Sequence, residues 1–158
     1  MSERLELRDE PADGPAARAL FAEYIALVGE RLGLDADFEP PERIFASPDA
    51  FAEQGAAWMV LYEDERAVAC GGLRTLEPSV GEIKRMFVTA SARGRGYGRM
   101  LLGELERRAA VHGHRSVRLL TTAVLREALE LYTSEGYSEL GREQRPGEPI
   151  EIWLVKAL

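Results

Sequence analysis

The sequence predicts a mixed α/β fold, a mostly antiparallel sheet that contains one parallel βαβ unit. Three observations predict it. The hydrophobic period switches between 2 and 3.6 along the chain, so strands and helices interleave. Strand candidates at 58–63 and 67–76 flank a polar turn, Glu63-Asp64-Glu65-Arg66, which makes them antiparallel neighbours. Strand 81–89, helix 97–112 and strand 116–122 form a βαβ unit, whose right-handed crossover leaves its strands parallel. The length of 158 residues suits one domain, 1–158, with a full hydrophobic core.

The elements follow in chain order. Residues 3–9 alternate Leu5 and Leu7 with Glu6 and Arg8 and read as a strand. Asp13-Gly-Pro15 reads as a helix entry, with Asp13 as cap and Pro15 in the first turn. Leu20, Tyr24, Leu27, Val28 and Leu32 continue it at helical spacing. Pro40, Pro41 and Pro48 make 33–56 a loop with one short helix near Asp49–Glu53. In helix 97–112, Leu101, Leu105 and Ala109 share a face and Glu104–Arg108 pair outside. Leu125, Ala128, Leu129 and Tyr132 predict a further helix, closed by Gly136 as a left-handed cap. Tyr137–Gly141 and Ile150–Lys156 are the last strands.

The charge is unevenly divided. The net −7 disfavours a general nucleic-acid binder. Residues 1–82 carry 18 acidic and 7 basic side chains, whereas 83–158 carry 9 and 13. Between Ile83 and Gly103 lie Lys84, Arg85, Arg93, Arg95 and Arg99 and no acid, a stretch suited to a small anion. No apolar run is long enough to span a membrane and the N-terminus is not a signal peptide, so cytoplasmic residence is the default expectation. The lone Cys70 precludes an internal disulfide, and no metal-ligand spacing is present.

Arg93-Gly94-Arg95-Gly96-Tyr97-Gly98-Arg99 joins a strand to a helix. Its glycines let backbone approach a ligand, and the helix start offers N–H groups and a favourable dipole to a phosphate. A dinucleotide-binding fingerprint would need Gly at positions held by Arg99 or Leu101, and the Lys-Ser/Thr ending of a Walker loop is missing.

Arg93-x-x-Gly96-x-Gly98, between a strand and an amphipathic helix, resembles the acyl-coenzyme-A-binding signature of the GNAT superfamily of N-acetyltransferases. Ala128-x-x-Leu131-Tyr132-x-x-x-Gly136-Tyr137 resembles that family's second signature, and the order of elements is similar too. The resemblance implies a sheet splayed between its parallel strands and acetyl-CoA as co-substrate, with no metal. It implies that Arg93, Gly94, Arg95, Gly96, Tyr97, Gly98 and Arg99 hold the pyrophosphate. Backbone near Phe87 and Val88 would pair with the pantetheine arm. The Tyr132 hydroxyl would meet the sulfur and protonate the departing thiolate, a kind of acid catalysis worth about 10²–10⁴-fold. Leu125 stands where family members often carry Asn, which removes one pantetheine hydrogen bond.

Glu82, eleven residues before Arg93, matches the catalytic Glu of the histone-acetylating branch. An alkyl amine is only roughly 0.04% neutral at pH 7, so a base is needed, whether this carboxylate or a water chain. The same Glu also reads as a strand residue paired with Lys84 or Arg85. Cys70 reads as core, Trp58 and Trp153 as core or strand-surface aromatics, and His112 and His114 as solvated partners of a helix end. Residues 35–56 hold Asp35, Asp37, Glu39, Glu42, Asp49 and Glu53 against Arg43, a negative rim for a cationic acceptor or a solvated loop. The resulting expectation is transfer of an acetyl group to an amine of a small molecule or peptide in a ternary complex. A non-catalytic acyl-CoA-binding module and transfer of another acyl group are the competing expectations. Partners do not include nucleic acid or membrane, and a homodimer through the C-terminal strands is left open.

Overall fold

The computed structural model describes residues 2–35 and 47–158. Its strands are β1 Leu5–Asp9, β2 Ala57–Glu63, β3 Arg66–Glu77, β4 Val80–Val88, β5 Ser116–Thr122, β6 Ser138–Glu143 and β7 Glu151–Ala157. Its helices are α1 Pro15–Leu32, α2 Tyr97–His112 and α3 Arg126–Ser134. The strands form one sheet in the order β1-β2-β3-β4-β5-β7-β6. Every pairing is antiparallel except β4 with β5, as the βαβ unit requires.

Two apolar layers cover the sheet. On one face Ala17 and Leu20 of α1 pack with Phe51, Trp58, Val60, Cys70 and Phe87. On the other, Leu101, Leu102 and Leu105 of α2 and Tyr132 of α3 pack with Leu61, Leu73, Ile83 and Leu119. Strand alternation sends Ile83 to the α2 face and its neighbours Glu82 and Lys84 to the α1 face.

The parallel pair is short. β4 meets β5 only from Val80↔Ser116 to Ile83↔Leu119, after which β4 continues on β3 and β5 continues on β7. A bulge sits at that parting: Cys70 faces Phe87 and Gly72 faces Lys84, so Arg85 and Met86 oppose Gly71 alone. Arg85 takes the extra residue's strain with φ 57°. The bend turns β4 away from β5, and its free edge from Lys84 onward opens the sheet.

Three local expectations change. Gly14, in extended conformation, is the N-cap of α1, and no side chain caps it. Asp13 lies one residue too early and instead offers its backbone carbonyl to Arg18 Nε at 2.7 Å. The short helix expected near Asp49–Glu53 is a single 3-10 turn, Pro48–Phe51, whose Phe51 is buried against Trp58. His114 is not solvated. It is buried, with Nε2 3.3 Å from Thr75 Oγ1 and its ring edge-on to His112. Among the described residues, no helix is long and apolar enough to cross a membrane.

Candidate active site

A cavity of about 590 Å³ lies at the splay. β4 contributes Met86, Phe87 and Val88, and the Gly-rich loop and the start of α2 contribute Arg93, Gly94, Gly96, Tyr97, Gly98 and Arg99. α3 supplies Glu127, Leu131 and Tyr132, its N-cap supplies Leu125, and α1 supplies Tyr24 and Leu27. Thus every expected coenzyme residue except Arg95 borders one space, and Tyr132 borders it too.

The loop has the form an anion needs. Gly94 and Gly96 are left-handed, with φ 76° and 81°, and a Cβ on either would meet nothing within 4 Å. Gly96 is the N-cap of α2, with no side-chain cap. The first-turn N–H groups of such a helix have no intrahelical acceptor, so they can serve a ligand. Gly98 lets α2 begin close to α3: a Cβ there would lie 3.1 Å from Leu131 Cδ2.

The arginines divide. Arg93 donates from Nε to the Val88 carbonyl at 3.2 Å, and its guanidinium lies 5.7 Å from the Phe87 ring centre. Arg99 is exposed and paired with Glu135. Arg95, expected among the anion ligands, points to the other side of the loop. Its guanidinium binds Glu63 at 2.6 Å and Glu3, and Tyr97 also donates its hydroxyl to Glu63. The reason is a competing carboxylate at the end of β2, which draws both side chains behind the loop. Those two hydrogen bonds hold the Glu63 carboxyl below the usual carboxylate range, Tyr97's contribution being the larger. Tyr97 therefore offers the cavity its position at the helix start, not its hydroxyl.

Tyr132 is buried, edge-on to Tyr137 at 5.7 Å between ring centres. Burial raises its hydroxyl above the ordinary phenol range, and Tyr24 adds to the rise. The proton is thus held firmly, as a donor requires.

Glu82 lies elsewhere. It is 1% exposed, accepts from Arg74 Nε at 2.7 Å, has Lys84 Nζ at 3.5 Å, and does not line the cavity. Arg74 is its cross-strand neighbour on β3. Burial lowers the Lys84 amine, partly opposed by Glu82. Of the acidic rim, Asp37, Glu39 and Glu42 lie outside the described residues.

Three cavity features were missed by sequence reasoning. Tyr24 and Leu27 carried the same helical period as core residues. Arg31 of α1 binds Glu127 of α3 through two hydrogen bonds of 2.6 and 2.7 Å and reaches the Val124 carbonyl at 2.8 Å, tying the two helices across the cavity. Arg31 holds the Glu127 carboxyl down to about 2.

The family model described as the acetyltransferase (GNAT) family matches residues 17–137. An uncharacterized N-acetyltransferase of Escherichia coli strain K12, YjgM, is 29% identical over 141 residues, covering 87% of this chain and 81% of that protein. An IAA acetyltransferase of Azospirillum brasilense is 30% identical over 109 residues, covering 68% and 71%. Among solved structures, an acetyltransferase of the GNAT family from Staphylococcus aureus Mu50 superposes with TM-score 0.77 at 14% identity, over 98% of this chain and 99% of that one, a likeness of fold.

Proposed function

Because the chain belongs to the GNAT family of acetyltransferases and is an acyltransferase, we propose that it moves an acetyl group from acetyl-CoA to a primary amine of a small molecule or peptide. The observation that carries this reading is the meeting, in one cavity, of an uncapped helix start behind left-handed glycines, a free strand edge and a buried tyrosine hydroxyl. When bound, acetyl-CoA supplies an activated thioester.

Backbone N–H groups from Gly96 to Arg99 hold the pyrophosphate, with Arg93 and Arg99 beside them. Arg99 must exchange Glu135 for the ligand. The open edge of β4 pairs with the amide-bearing arm, as a strand would, since buried backbone groups need partners. N–H groups near Phe87 and Val88 polarise the thioester carbonyl while an amine attacks it directly. Tyr132 donates to the departing thiolate, whose thiol has an ordinary pKa of about 8.5. Removal of the amine proton is assigned to water in the cavity. Glu82 is assigned to joining β3 and β4, because its carboxylate is committed to Arg74 and Lys84 outside the lining.

Two measurements test the reading. Acetyl-CoA should raise the melting temperature, because a ligand that binds only the folded state stabilises it. Free thiol should then appear when small amines, amino acids and peptides are supplied. Stabilisation without turnover on a broad panel would instead favour a coenzyme-binding module. No stabilisation at high coenzyme concentration would remove the coenzyme reading.

A further inference from the structure

Lys84 is the first residue of β4 without a partner on β5, since the parallel ladder ends at Ile83↔Leu119. Its side chain leaves the sheet on the α1 face, the face of Phe87, which borders the cavity. Along the strand the two are about 10 Å apart or less, the bulge lying between them. A molecule that enters the gap between β4 and β5 on this face meets Lys84 before it reaches the coenzyme cavity.

Lys84 is only 7% exposed, yet it has no carboxylate of its own. Its Nζ lies 3.5 Å from Glu82 Oε1, the same oxygen that accepts from Arg74 Nε at 2.7 Å. Among the described residues Glu82 is its one ion-pair partner, and Arg74 and Arg85 both act on the ammonium as like charges. On β5, Arg118 stands in register beside Glu82. Its Nε is buried with no hydrogen-bond partner among the described residues, and its Nη2 lies 3.6 Å from the exposed Glu77. Arg74, Lys84 and Arg118 thus surround a single buried acid. A buried charge is costly unless it is paired, and an ammonium has three donors, of which Glu82 Oε1 can take only one. Further along β5, on the face opposite Val117 and Leu119, Thr122 buries a hydroxyl that also has no hydrogen-bond partner among the described residues. An anion in the gap would complete both groups.

We propose that Lys84, assisted by Thr122 across the gap, binds a carboxylate carried by the acceptor, so that the amine acylated belongs to an amino acid or another small amino carboxylate. The inference rests on the acetyl-CoA reading. With its carboxylate held at Lys84, the acceptor points its amine along β4 toward Phe87 and Val88, where that reading puts the thioester carbonyl. The N–C bond forms and the C–S bond breaks. The amine proton passes through water to Tyr132, which has given its own proton to the sulfur. The carboxylate stays ionised throughout.

The test measures thiol release from acetyl-CoA with the common α-amino acids, β-alanine and γ-aminobutyrate, each beside its carboxamide and the amine that lacks the carboxyl group. At least one amino carboxylate should exceed its carboxamide in kcat/KM by about tenfold or more, the worth of a hydrogen bond to a charged group. Lys84→Met keeps the apolar stem and leaves Arg74 on Glu82. It should raise the acceptor KM, shrink that ratio by about tenfold and leave the KM for acetyl-CoA unchanged. Lys84→Arg keeps the charge and should keep the preference. Thr122→Val breaks no internal hydrogen bond, should shrink the ratio by about 2–10-fold, and carries the test if Lys84→Met fails to fold. Folded Lys84→Met and Thr122→Val chains with the wild-type ratio would overturn the inference alone. So would a wild-type chain that acetyl-CoA stabilises but that acylates carboxamides or simple amines as readily as amino carboxylates, or acylates no amino carboxylate. A wild-type chain that acetyl-CoA does not stabilise and that releases no thiol would overturn the coenzyme reading, and this inference with it.

Discussion

Tyr132→Phe separates chemistry from architecture at a single atom. The hydroxyl has no hydrogen-bond partner among the described residues, although its ring is packed against Tyr137 and buried. Phenylalanine keeps that packing and breaks no internal bond, so folding should change by about 1 kcal/mol or less. For a chain of this length that is a melting shift of under about 4 °C. Turnover should fall by about 10²-fold or more, the lower range for a positioned acid, which corresponds to ~2.7 kcal/mol of barrier. Coenzyme-induced stabilisation should persist, because in the proposed mechanism the hydroxyl meets the sulfur and not the phosphates. The raised hydroxyl adds a second signature: no alkaline break in turnover below about pH 10 should trace to this residue. Steady-state thiol release and a melting curve with and without acetyl-CoA provide every quantity. Wild-type turnover in a folded variant refutes the assignment, and loss of both fold and turnover refutes the claim that the hydroxyl is structurally idle.

Three further outcomes are expected. Tyr137 buries its hydroxyl with no hydrogen-bond partner among the described residues, so Tyr137→Phe should stabilise the fold by about 1 kcal/mol, read from denaturant midpoints. His114 is held below the ordinary imidazole value by burial and by His112. The unfolded chain then takes up the proton first, so stability is full above about pH 6.5 and falls as pH drops through the folded-state value. Glu104, held near 2 by Arg107 and Arg108, produces a separate loss below about pH 4.5. Urea midpoints from pH 8 to 3 should show both windows, and His114→Gln should erase only the upper one. Finally, Arg99→Ala should raise the KM for acetyl-CoA several-fold with little change in kcat, and Arg95→Ala should lower thermal stability more than it raises KM.

Much of the fold was legible in periodicity, and the reasons for the exceptions are physical. The βαβ unit, the strand pairs and the Gly-rich helix start are local patterns, and each appears where spacing placed it. Direction was not legible. Arg93, Arg95 and Arg99 look alike in sequence, yet Glu63, distant along the chain, turns Arg95 away from the cavity. Glu82 read both as a base and as a strand residue paired with Lys84 or Arg85, and only strand register discloses that Arg74 stands opposite it. Tyr24 obeyed the period of a core residue because a cavity wall and a core face repeat identically along a helix. The bulge at Arg85 and Met86, which opens the site, shows in the sequence only as two consecutive polar residues, Lys84 and Arg85, and such a break in alternation does not by itself tell a bulge from a strand end.

The four residue pairs between β4 and β5 make a seam that divides the sheet into β1–β4 and β5–β7. Strands grip along their length, so the two halves are sewn at one end and loose at the other. An extended ligand lying in the open end would act as a stitch, closing the row of backbone partners that the bulge leaves undone. Amide exchange at Lys84–Val88 should then slow when acetyl-CoA binds, more than at the already paired Val80–Ile83. The place where the fold is least sewn is the place where coenzyme would make it whole.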